Sequence, residues 1–80
     1  MEENKELKLI PISFISNGIL IKGEVDEDTI RLIDIIIKSQ DKIFITLYNV
    51  IIDNIREIYN YDTFNLLNTN INGYSINYGN

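Results

Sequence analysis

Apolar and polar positions alternate with a period of two at both ends of the first 25 residues, the pattern of half-buried β-strands. Glu6 to Ser16 is apolar at Leu7 and Leu9, then at Ile10, Ile12 and Phe14, so the phase slips beside Pro11. Proline removes a ladder donor, which predicts an edge strand or a bulge at that point. Asn17-Gly18 follows and is the strongest local signal in the chain: flanked by apolar strands, it predicts a two-residue type I′ hairpin turn. The return strand, Ile19 to Val25, sets Ile19, Ile21 and Val25 on one face with Gly23 among them. A glycine there signals a bulge or a close backbone approach.

The period then changes. Asp26 to Gln40, placed on a helix, puts Glu27, Arg31, Asp34 and Lys38 on one narrow stripe. Glu27–Arg31 and Asp34–Lys38 are i,i+4 pairs with the acid N-terminal, the favoured order. Asp26 to Asp28 place negative charge at the positive end of the helix dipole, and Asp26 or Asp28 can cap. Ile30, Leu32, Ile33, Ile35, Ile36 and Ile37 fill an apolar arc of roughly 200°, wider than the ~100° stripe that one sheet needs. A second helix can cover one flank, and a homodimer or a target protein the other, at Ile35 or Ile30.

Beyond the turn Ser39-Gln40-Asp41, Lys42 to Tyr48 is apolar on both faces, as expected of a central strand. Asn49 can cap an amphipathic helix over Val50 to Asn60, with Ile51, Ile52, Ile55, Ile58 and Tyr59 on one side. A competing reading continues the strand through Ile52. Asn72-Gly73 predicts a second hairpin, Phe64 to Ile71 against Tyr74 to Tyr78. The expected order is ββαβαββ: an α+β fold in which a mainly antiparallel sheet is packed by two helices. Residues 1–5 form a flexible N-terminus. Residues 6–80 form a single domain, of which 61–80 are a Tyr/Asn-rich C-terminal hairpin.

Composition narrows the function more by exclusion than by assignment. Cysteine and histidine are both absent, which removes disulfides, thiolate chemistry and imidazole acid–base catalysis. A net charge of -5 disfavours nonspecific binding to nucleic-acid phosphates. Met1 to Lys8 is charged and has no apolar signal-peptide core, so a cytoplasmic protein is expected. Alanine and tryptophan are missing while isoleucine and asparagine abound, the outcome of AT-rich codon usage common on phages and other mobile elements.

No residue set spells a reaction, and no enzyme activity, cofactor or metal is expected. Glu24, Asp26, Glu27 and Asp28 lack the alternating spacing of a calcium loop and read as an acid-rich helix start. Asp34 and Asp53, the mid-helix carboxylates, read as solvated. The uncharged tail is more informative, because Tyr and Asn are the residues that binding surfaces favour. Tyr74 and Tyr78 share one face of a strand, and Asn77 faces the other way. The candidate partner-binding residues are therefore Tyr74, Asn77 and Tyr78, together with the acidic cluster Glu24, Asp26, Glu27 and Asp28 for steering toward a basic or polar host surface. The expectation is a small acidic inhibitor of a host defence protein that acts by covering a surface. A dimeric structural or regulatory subunit, or a small nucleic-acid or nucleotide-binding module, are the alternatives.

Overall fold

The structure, a computed structural model, describes residues 8–77; the expected flexible N-terminus 1–5 and Tyr78 lie outside them. Strands β1 (Leu9–Ser16) and β2 (Ile19–Asp26) lead into helix α1 (Glu27–Lys38), then into β3 (Phe44–Asp53) and β4 (Ile58–Leu67). A 3-10 turn, Asn68–Asn70, precedes the short strand β5 (Gly73–Ile76). All five strands form one antiparallel sheet in the order β4-β3-β2-β1-β5. An α+β domain is therefore correct, with one helix instead of two.

The first half of the chain follows its local signals. Asn17 and Gly18 take φ of 53° and 80°, the two positive values a type I′ turn requires. Asp26 caps α1 by accepting from the Thr29 N–H at 2.7 Å. Lys38 reaches Asp34 at 3.0 Å, whereas Arg31 turns to Asp28 and Glu27 to Lys8, each at 3.8 Å. Pro11 makes neither an edge nor a bulge: β1 lies between β2 and β5 with unbroken register to β2. Its missing donor costs nothing on the β5 side, because the ladder there spans Ile12 to Ile15 and Pro11 needs only its carbonyl, which accepts from the Asn77 N–H at 2.9 Å.

The expected helix over Val50 to Asn60 is instead the end of β3, a tight turn and the start of β4. Mutual backbone hydrogen bonds between Asn54 and Glu57 close the turn. The helical appearance of this run comes from a β-bulge. Asn49 and Val50 together oppose Gly23, and Asn49 absorbs the irregularity at φ 53°. The buried face of β3 therefore runs Ile45, Leu47, Val50, with a step of three residues where a regular strand has two. Gly23 is required opposite it: a Cβ there would sit 3.0 Å from Leu47 Cδ2 and 3.2 Å from Val50 Cγ2.

Nor does the second hairpin form. Phe64 to Leu67 pairs with β3, while Tyr74 to Ile76 pairs with β1. Asn72 and Gly73 lack the positive φ of a primed turn. Asn72 instead ties the chain to the first turn, its N–H donating to Ile15 O at 2.7 Å and its Oδ1 accepting from the Asn17 N–H at 2.7 Å.

This connection also bends the sheet. Leu67 pairs with Phe44 at one end of β3, and Gly73 pairs with Ile15, whose neighbour Leu20 meets Asp53 at the other end. On a flat sheet those two points would lie more than ~30 Å apart, given strand spacing and rise. Six peptide links that include a 3-10 turn span roughly 17 Å, so the sheet must curl over its own core.

Into the curl point Ile12, Phe14, Ile21, Val25, Ile45, Leu47, Val50 and Leu66, with Ile30 and Ile33 of α1 and with Ile71. Ile30, expected as an open flank, is thus core; Leu32 and Ile35 are the exposed ones, Ile35 by 67%. Asn68 is also buried, to 1% exposure. Its Nδ2 is shared among the carbonyls of Ile36 (2.7 Å), Ser39 (3.3 Å) and Asp41 (3.0 Å), and its Oδ1 accepts from the Ile43 N–H at 2.9 Å.

Replacing Asn68 by Ala strands several buried backbone groups and is expected to cost about 2–4 kcal/mol in urea unfolding. A loss below about 0.5 kcal/mol would show that the helix end does not depend on it. Ile33→Ala, which empties a packed site 3% exposed, is expected to cost about 2–5 kcal/mol by the same measurement. Little change there would contradict the facing of α1.

Candidate functional site

The acidic segment is largely occupied by the fold. Glu24 Oε1 accepts from Asn49 Nδ2 at 2.8 Å, across the bulge. Asp26 is the helix cap, Glu27 pairs with Lys8 and also donates its backbone N–H to Lys8 O at 3.0 Å, and Asp28 pairs with Arg31. These ion pairs are solvent-exposed, so each contributes little stability. What the segment retains is a concentration of negative charge where β2 ends and α1 begins, and no described group of three or more acidic side chains is arranged to hold a metal.

The tail residues separate. Tyr74 stands opposite Phe14 on β1, with ring centroids 6.5 Å apart, and its hydroxyl reaches Asp34 Oδ1 at 3.5 Å. Its ring leans on the fold as much as it faces solvent. Asn77 is exposed and bound through its backbone to Pro11. Pro11 in turn pairs with Glu24, so Asn77 and the acidic segment fall on one lateral row of the sheet. Tyr78 lies outside the described residues. The mid-helix carboxylate expected at Asp53 is the last residue of β3.

A different surface is more continuous. On the outer face of the sheet, Ile15 pairs with Leu20, Leu20 with Asp53, and Asp53 with Ile58. One row further along, Lys22 pairs with Ile51, and Ile51 with Asn60. Cross-strand neighbours stand about 5 Å apart, so Ile15, Leu20, Ile51 and Ile58 form one apolar patch rimmed by Asp53, Lys22 and Asn60. Ile55, fully exposed at the β3–β4 turn, extends it. Such a patch, apolar and polar-rimmed, has the character of an interaction surface.

The inner side of the same hairpin is aromatic. Tyr61 and Phe64 lie 5.5 Å apart with rings tilted by 38°. Beside them a groove of about 390 Å³, lined by Ile19, Ile21, Ile52, Phe64 and Leu66, opens between the first turn and β4. The outer edge of β4 carries no ladder among the described residues. Sequence reasoning missed this region because it placed 50–60 on a helix. The signal was present in the β-branched run Val50, Ile51, Ile52 and in the reading that continued the strand.

Tyr59 is the titratable group with an altered environment. Its hydroxyl donates to the Glu57 carboxylate, which raises its pKa above 10.0, with smaller contributions in the same direction from partial burial and from Tyr61. A tyrosine whose folded pKa is raised favours the native state below its unfolded pKa and loses that contribution as pH climbs through the folded one. Tyr59 is expected to ionise above free tyrosine in an NMR titration, and Glu57→Gln to return it toward the ordinary value. Unchanged titration in Glu57→Gln would remove the carboxylate as the cause.

No family model matches this chain, and neither a curated protein nor a solved structure is detectably similar to it.

Proposed function

We propose that this chain is a small, acidic, non-enzymatic protein that binds another protein and blocks it by covering a surface. The observation that supports this reading is the outer apolar patch of Ile15, Leu20, Ile51, Ile55 and Ile58 on an otherwise polar, negatively charged chain. Burying it removes apolar surface from water, the dominant favourable term in most protein association. The charge contributes to rate: the acids from Glu24 to Asp28 draw a basic partner toward the sheet. The AT-rich residue usage points to a mobile element, and with it to a host defence protein as the target.

The test is direct. Proteins captured from the host by the tagged chain are purified, and their affinity is measured for variants of the patch. Ile51→Asp is expected to weaken the true complex by about 2 kcal/mol or more while the circular-dichroism spectrum is unchanged. Neutralising Glu24 and Asp28 is expected to slow association at low salt and to leave dissociation unaltered. Should Ile51→Asp and Ile58→Asp both bind as the parent does, the patch is not the interface.

A further inference from the structure

Strand β4 reads nearly the same in both directions. Its ten residues are Ile58, Tyr59, Asn60, Tyr61, Asp62, Thr63, Phe64, Asn65, Leu66 and Leu67. Laid antiparallel against a second copy with a two-fold axis between Asp62 and Thr63, Ile58 meets Leu67 and Tyr59 meets Leu66. In the same register Asn60 meets Asn65, Tyr61 meets Phe64 and Asp62 meets Thr63. Apolar faces apolar, amide faces amide, and the single charge faces a hydroxyl. We infer that the open edge of β4 is a self-recognition surface, and that two chains join there into one continuous ten-stranded sheet.

The structure supplies the geometry for this register. Tyr59, Tyr61, Phe64 and Leu66 stand opposite Ile52, Val50, Leu47 and Ile45 and share the inner face. Ile58, Asn60, Thr63, Asn65 and Leu67 stand opposite Asp53, Ile51, Tyr48, Thr46 and Phe44 and share the outer one. Directly opposed residues of an antiparallel pair lie on the same face, and each of these matches joins inner with inner or outer with outer. Sliding the copies by one residue sets Asp62 against Asp62 and inner side chains against outer ones. An isologous interface requires this kind of self-complementarity, in which residue i contacts j and j contacts i.

Nothing on β4 discourages the pairing. Edge strands are ordinarily guarded by lysine, proline or a bulge facing outward. This one has neither lysine nor proline, and Asp62 is its one charge. β5, the opposite edge, spans four residues against ten and offers a far shorter ladder. Each half of the joint would also place the Tyr61 and Phe64 rings, already in contact within a chain, beside the same pair from the other copy.

Sedimentation equilibrium on the full chain tests this. The parent is expected to sediment at twice 9.3 kDa. Asn60→Lys with Asn65→Lys sets lysine against lysine at both amide matches and is expected to weaken self-association roughly tenfold or more. That double variant moves the net charge from -5 to -3, two lysines having been added, so overall repulsion falls and cannot explain the loss. Asn60→Asp with Asn65→Lys sets aspartate against lysine at both matches and is expected to restore the dimer in a salt-sensitive way. Ile35→Glu, on the far side of the molecule, is expected to leave it intact. A monomeric parent overturns the proposal. So does a dimer that ignores both amide variants, or one that Ile35→Glu abolishes.

Discussion

The side-chain amide of Asn68 is the point at which three segments of this fold are held together. Helix α1 ends with carbonyls that have no partner within the helix. Three carbonyls of the helix end and the following turn, those of Ile36, Ser39 and Asp41, converge on Asn68 Nδ2, while the N–H of Ile43 finds Oδ1. The Asn68 backbone N–H then donates to Ile43 O at 2.9 Å. A buried group that must both donate and accept leaves few choices: aspartate has no donor when ionised, and leucine has neither function. With the start of the β4–β5 link pinned under the helix, the chain has only a short path to β1. The curl of the sheet, and so the core inside it, depends on this contact.

A second constraint acts at the bulge. Gly23 lets β3 approach β2 closely, and Asn49 takes the positive φ that shifts the phase of β3 by one residue. Because of that shift Val50 points inward and Ile51 outward. A regular strand would have turned Ile51 into the core and Val50 to solvent. The outer apolar patch therefore exists because of an irregularity, stabilised on one side by a missing Cβ and on the other by the Asn49–Glu24 hydrogen bond.

The same irregularity decides how much of the fold is legible in the residues. The first hairpin and the helix are determined by neighbours in sequence: Asn17-Gly18 has one favoured turn, and Asp26 has one helix to cap. Their local signals and their tertiary contacts agree. From Asn49 onward they part. A three-residue step between inward positions looks helical when the bulge partner, Gly23, lies 26 positions earlier and is not considered. Asn72-Gly73 likewise has the composition of a hairpin, but Asn72 is engaged by Asn17 and Ile15, far upstream. The acidic cluster shows the complementary error: it is read as a free binding surface, whereas Asp26 is occupied in capping and Glu24 in the bulge.

Every residue from Asp53 to Thr63 is exposed, and among them are Ile55, Ile58, Tyr59 and Tyr61. Polar side chains at these positions would leave the core intact, since none of the four contributes to it. Their apolar character is therefore not a requirement of folding this chain. It also carries a cost, because an 80-residue domain has a thin core and gains nothing from an open edge that invites misassociation. A patch that the fold does not need, placed beside a strand edge that the fold does not guard, is accounted for by what covers it. Here the two surfaces have different occupants. Backbone pairing along β4 fits a strand of matching pattern, which the chain itself provides. The outer patch, set across four strands by the bulge, has no such internal complement and is left for another protein.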